Sequence, residues 1–134
     1  MQRTLYSLIL LAICFAVGCG GNVTITGTAA LADGTPVATG FVEFHSGTNM
    51  YRATNRNGSF SPGATRDGGG IPAGVYQIRV SGVGEIVERP GSTPEEPLTT
   101  FVSHINERYE DIATSGLSID TSQTRRLELV LDPR

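Results

Sequence analysis

The clearest period-two alternation in the chain is Gly74-Val75-Tyr76-Gln77-Ile78-Arg79-Val80-Ser81, with Tyr76, Ile78 and Val80 on one side and Val75, Gln77, Arg79 and Ser81 on the other. Successive strand residues point to opposite faces, so this stretch predicts a strand with one face in a core and one in water. Val23-Thr24-Ile25-Thr26-Gly27-Thr28 alternates in the same way and predicts the first strand. A second runs from Thr39 to Ser46, with Val42 and Phe44 inward and Phe41, Glu43 and His45 outward. Between the two, Asp33-Gly34 supplies turn residues, and Pro36 suits a strand entry at an edge because it has no N–H to donate. Met50 to Thr54 predicts a third strand, and Asn55-Arg56-Asn57-Gly58 an Asn-Gly hairpin turn returning through Ser59-Phe60-Ser61. Leu117 to Asp120 and Arg125 to Leu131 predict a closing hairpin beside the central strand. Half-buried alternation throughout predicts an all-β, two-layer antiparallel sandwich with residues 74–81 near its middle. Its core should hold Val23, Ile25, Val42, Phe44, Phe60, Tyr76, Ile78, Val80, Leu117, Ile119, Leu127 and Leu129.

Residues 83–116 break this rhythm and are too long for a bare connection in a compact domain. Thr93-Pro94-Glu95-Glu96 fits a helix start, and Leu98, Phe101, Val102 and Ile105 have helical spacing, so the pattern predicts a short helix or turn closing one end of the sandwich. Pro97 opposes it, because it removes a hydrogen bond in the first turns and disfavours helix at Glu96. The insertion is the expected place for any binding, since rigid sandwiches carry function on loops; the competing expectation is a lid over apolar core residues.

At the amino terminus the pattern is of another kind. Arg3 gives one positive charge, Leu5 to Ala16 is apolar apart from Tyr6 and Ser7, and small residues follow at Gly18 and Cys19. A membrane-spanning helix needs about 20 predominantly apolar residues, and Gly18, Gly20, Gly21 and Asn22 close this run short of that. Residues 1–18 are therefore expected to be a signal peptide. Ala16-Val17-Gly18-Cys19 resembles the lipobox of bacterial lipoproteins, which implies lipidation of the Cys19 thiol and cleavage before it; the family more often has Leu at the position of Ala16. Residues 19–22 then form a lipidated, glycine-rich tether, and two acyl chains would hold it stably at a membrane. Glycine rather than aspartate at position 20 implies, by the same resemblance, the outer membrane, facing the periplasm or the surface.

The β landmarks resemble a family as well. Gly27-Thr28, Asp33-Gly34-Thr35-Pro36-Val37, Thr54 through Asn57-Gly58-Ser59-Phe60, and Ile71-Pro72-Ala73-Gly74-Val75-Tyr76 are similar in order and spacing to the carboxypeptidase regulatory-like domain. Tyr109 followed by Thr114-Ser115-Gly116-Leu117 resembles a subset found in small bacterial lipoproteins of unknown function, which usually has proline where this chain has Asn106. The resemblance implies a seven-stranded antiparallel transthyretin-like, or prealbumin-like, β-sandwich over residues 23–134, with the insertion at about 83–116.

Composition changes the picture in three ways. Seventeen glycines and no tryptophan fit short strands joined by tight turns. Cys14 would leave with the signal, so the mature chain has one cysteine and forms no internal disulfide; its stability must come from its core. Without Arg3, nine arginines oppose thirteen carboxylates, a net charge of −4, and the arginines are scattered, which excludes the clustered positive charge of a nucleic-acid track.

Candidate chemistry is sparse. His104-Ile105-Asn106-Glu107 matches the letters of a metallocarboxypeptidase zinc motif, but no histidine follows it, and catalytic zinc needs three protein ligands. Glu43 with His45 offers two ligands at most, Asp67-Gly68-Gly69-Gly70 too few oxygens for calcium, and there is no nucleophile elbow. Some transthyretin-fold hydrolases use histidines and a tyrosine-containing terminal tetrapeptide, whereas this chain ends Leu131-Asp132-Pro133-Arg134. No catalytic residue, cofactor or metal is assigned, and Cys19 is the one site residue. The expected function is a lipid-anchored structural or protein-interaction module of the cell envelope. A carbohydrate- or peptidoglycan-binding module is the alternative, with Phe41, Tyr51, Phe101 and Tyr109 as the available rings, and a hydrolase a distant third.

Overall fold

The computed structural model describes residues 21–63 and 69–134. The expected signal peptide, Cys19, and Asp67 and Gly68 of the glycine-rich connection lie outside the described residues. The described chain is built of strands and one short 3-10 turn. In order these are β1 (Asn22–Val23), β2 (Thr26–Leu31), β3 (Phe41–Ser46), β4 (Asn49–Thr54), β5 (Ser59–Phe60), β6 (Ile71–Pro72), β7 (Val75–Ser81), β8 (Gly84–Glu88), β9 (Thr99–Ser103), the 3-10 turn (Glu107–Glu110), β10 (Leu117–Asp120) and β11 (Arg126–Leu131).

Two sheets enclose the core. One has the order β10-β7-β3-β4 and is antiparallel throughout; the other has the order β11-β2-β5. β7 is an interior strand, and Tyr76, Ile78 and Val80 are buried as the alternation requires. Phe44 of the first sheet meets Phe60 of the second with ring centroids 6.3 Å apart, and Phe44 also meets Tyr76 edge-on at 6.2 Å. Such pairs add about 0.5 to 1.5 kcal/mol beyond area burial. The Tyr76 hydroxyl stays satisfied by donating to the Pro72 carbonyl at 2.6 Å. Of the expected core, Val23 and Leu117 are half-buried; Val37, Ile71, Ile105, Tyr109 and Leu131 join it instead.

The turn after β4 follows its sequence signal. Asn57 and Gly58 both take positive φ, 51° and 85°, while Arg56 and Ser59 exchange backbone hydrogen bonds of 2.9 and 3.1 Å. Positive φ at both central residues is what a two-residue hairpin turn matched to strand twist demands. Here the turn also carries the chain from one sheet to the other.

Three expectations need correction. The first predicted strand is two: β1 pairs with β6, and β2 with β5 and β11, with Thr24 and Ile25 between. The closing pair is not a hairpin within one sheet. β10 lies beside β7, but the turn over Thr121–Arg125 takes the chain across to β2, where β11 pairs in parallel. β3, β7 and β10 alternate in direction within the first sheet, and the chain then leaves that sheet so that β11 runs alongside β2. The helix expected after Thr93 is absent. The Glu96 N–H does donate to Thr93 Oγ1 at 3.0 Å, as a helix cap would, but Pro97 stops the turn from propagating and residues 99–103 are extended.

Candidate functional site

The insertion divides into two parts with opposite characters. Its second part is bound to the core. Ile105 and Tyr109 are buried, Ile105 bridges to Pro133, and the Asn106 N–H donates to the Asp132 carbonyl at 2.9 Å. Asn106 Oδ1 caps the 3-10 turn by accepting from the Arg108 N–H at 3.1 Å. The Tyr109 hydroxyl donates to Asp132 Oδ2 (3.1 Å) and accepts from the Asp132 N–H (3.1 Å) and Arg108 Nη2 (2.7 Å). The bond to Tyr109, and then the Asp132 charge beside it, hold the Arg108 guanidinium above its ordinary pKa. Proline at position 106 would lose the N–H that reaches Asp132.

The first part is a ribbon. β8 and β9 pair antiparallel with the register Gly84↔Ser103, Glu85↔Val102, Ile86↔Phe101, Val87↔Thr100 and Glu88↔Thr99, and they pack chiefly on each other. At the base the His104 N–H donates to the Val83 carbonyl (2.9 Å), and at the tip the Arg89 N–H donates to Leu98 (2.8 Å). Antiparallel ladders alternate between bonded and non-bonded pairs. The Glu85–Val102 and Val87–Thr100 pairs therefore bond within the ribbon. Gly84, Ile86 and Glu88 on one edge, and Thr99, Phe101 and Ser103 on the other, direct their N–H and C=O groups outward. Gly84 has a steric reason: a Cβ there would overlap the Val102 carbonyl oxygen and the Phe101 ring.

The ribbon's side chains are apolar on both faces. Ile86 stands opposite Phe101, 72% and 48% exposed, while Val87, Leu98 and Val102 occupy the other face. An isolated two-stranded ribbon is marginal in water, and among the described residues nothing covers the apolar side chains on either of its faces.

A second cluster lies on the outward face of the four-stranded sheet. Glu43 was expected to be exposed; it is 4% exposed, because Arg52 and Arg79 stand directly opposite it on the two neighbouring strands. Glu43 Oε2 lies 3.3 Å from Arg79 Nη2 and 3.7 Å from Arg52 Nη2, and Oε1 lies 3.2 Å from His45 Nε2. Arg52 also stacks over Phe41, 5.0 Å from the ring centroid. The geometry clamps β4, β3 and β7 side by side through charge.

The remaining candidates do not converge. His104 is exposed and faces Glu85 at 3.5 Å across the ribbon base, and among the described residues no group of three or more His, Cys, Asp or Glu is placed to hold a metal. Of the four rings, Tyr109 is buried and Tyr51 half-buried, while Phe41 and Phe101 are exposed on separate elements. Cys19 lies outside the described residues. Sequence reasoning missed the Glu43 clamp and the ribbon edges, since both depend on which distant strands become neighbours. The chain matches no protein-family model, no curated protein and no solved structure.

Proposed function

We propose that this chain is a non-catalytic, lipid-anchored module of the bacterial cell envelope, held at the membrane through Cys19, that acts by binding protein through the β8–β9 ribbon. The observation that carries the reading is the ribbon itself: apolar side chains on both faces, and edges with which no other strand of the described residues pairs. Exposed edges of this kind accept a further strand through main-chain hydrogen bonds, with side-chain pockets supplying selectivity. Support for the finer transthyretin-like reading comes from the division into sheets of four and three strands, and from the Asn57-Gly58 turn lying where the family landmarks require one. The glycan reading has less behind it, because the two exposed rings, Phe41 and Phe101, belong to strands of different sheets rather than to one continuous aromatic face.

The test is a photo-crosslinking amino acid placed at Ile86 in the full chain, expressed in a bacterium that processes lipoproteins, with Gln77 on the sheet face as control. The expected result is protein adducts at position 86 and none at 77, together with fatty-acid label on the parent chain that is lost in Cys19→Ser. Equal adducts at both positions would sink the interaction reading, and label surviving in Cys19→Ser would sink the anchor.

A further inference from the structure

We propose that the outer edge of β9 pairs antiparallel with β9 of a second copy of this chain, so that two ribbons merge into one four-stranded sheet of order β8-β9-β9-β8. This rests on the reading of the ribbon as the interaction surface and names the partner. The first argument is backbone geometry. Thr99 and Phe101 direct their N–H and C=O groups away from β8, and no strand of the described residues occupies that side. Ser103 is buried at the ribbon base, so the open edge is Leu98–Val102. A two-fold axis through Thr100 sets Thr99 of each copy opposite Phe101 of the other. All four of those residues have their bonding groups facing the seam, which makes two bonded pairs and four hydrogen bonds.

The second argument is side-chain complementarity at that register. Thr100 meets Thr100 on the axis, and Leu98 meets Val102 on each side of it, so one face carries a continuous strip of Leu98, Thr100 and Val102 flanked by Val87. On the opposite face Phe101 lies over Thr99 of the partner copy, with Ile86 alongside. Threonine pairs and aromatic–β-branched pairs are favourable directly across strands.

Charge chooses between the edges. Leu98-Thr99-Thr100-Phe101-Val102-Ser103 has no ionisable side chain, whereas β8 carries Glu85 and Glu88, the kind of residue that keeps an edge from pairing. A copy with a net charge of −4 meets no like charge at the β9 seam and meets its own carboxylates at β8. The seam is short and falls below the roughly 1,200 Å² of a standard stable interface, so pairing in dilute solution is weak. Tethering both copies to one membrane raises their effective concentration without any new contact.

The experiment is disulfide trapping of the full chain in membranes with copper-phenanthroline, read as covalent dimer on a non-reducing gel. Thr100→Cys, on the axis, is expected to give at least tenfold more dimer than Gln77→Cys on the sheet face or the parent chain. Thr99→Pro in the Thr100→Cys background is expected to abolish the dimer: Thr99 donates only toward the seam, so proline there spares the ribbon's own ladder. Unchanged circular dichroism of the purified double variant shows that the fold survives. Equal dimer at 100 and 77, or dimer unaffected by Thr99→Pro, overturns the proposal. Adducts to other proteins at Ile86 with no dimer at 100 overturn the self-pairing alone; no adducts and no dimer overturn the ribbon reading with it.

Discussion

Ile78→Ala is the sharpest test of how the core is built. Ile78 is fully buried in an interior strand, with Phe44 opposite it on β3 and Leu117 opposite it on β10, so the space left by three missing carbon atoms is lined by side chains already fixed by their own strands. Truncations of this type cost about 2 to 5 kcal/mol, and poor local collapse places the value in the upper half of that range. The neighbouring Gln77 points to solvent from the same strand, and Gln77→Ala should stay within about 0.5 kcal/mol. Urea denaturation followed by circular dichroism, on the chain lacking its first 19 residues, measures both from the shift in midpoint at constant slope. In a thermal melt the Ile78 variant should lose on the order of 10 °C or more, by the few degrees per kcal/mol expected of a domain this size. Comparable losses at positions 77 and 78 would refute the inward assignment of Tyr76, Ile78 and Val80 and the two-sheet core with it.

Three further outcomes follow from local geometry. Asn55 is buried and its Nδ2 donates to the Val37 carbonyl (2.8 Å) and the Thr39 carbonyl (3.0 Å), so Asn55→Ala leaves two acceptors unmet and should cost about 2 to 4 kcal/mol by the same denaturation assay. The Asp33 carboxylate accepts from the Thr35 N–H at 2.9 Å, which lowers its pKa; the stabilisation is present above the ordinary carboxylate pKa of about 3.9 and is lost as pH falls through the lower folded value. Stability curves of the parent and Asp33→Asn should therefore differ at pH 7 and converge toward pH 3, and a gap that widens on acidification would contradict this. Chelation with EDTA should leave the melting temperature of the purified domain unchanged, and a fall of several degrees, or one zinc per chain by elemental analysis, would overturn the non-catalytic reading.

What was legible in the sequence depended on whether a residue's environment is set by near or by distant neighbours. β7 could be read from its alternation because a strand buried on one face needs Tyr76, Ile78 and Val80 at intervals of two, whatever lies beside it. The Asn57-Gly58 turn could be read because positive φ is a property of two residues alone. The burial of Glu43 could not, because it is produced by Arg52 and Arg79, which become its neighbours only once β4 and β7 flank β3. Nor could the crossing of β11 to the second sheet: a tight turn after Asp120 fits a flat hairpin as well as a change of layer, and the choice is made by β2, nearly a hundred residues earlier. The ribbon misled the reading for a further reason. Apolar residues on both faces erase the period of two, and Leu98, Phe101, Val102 and Ile105 happen to repeat at helical intervals.

The same erased period is informative once the fold is known. A strand that only completes a core is apolar on one face, and β10 and β11 obey this, with Ile119, Leu127, Leu129 and Leu131 inward and Ser118, Glu128 and Val130 outward. β8 and β9 have no core to complete, since the lid over that end of the sandwich is formed by Ile105 and Tyr109 and is secured to the carboxy-terminal strand through Asp132. Removing the ribbon's apolar side chains would therefore cost the core little. Exposed as they are, Ile86, Phe101 and Val102 are an aggregation burden that brings the core no stability. That contrast with β10 and β11 is why we propose that the ribbon is explained by what it meets rather than by what it supports, and the uncharged β9 edge is why the proposed partner is a strand.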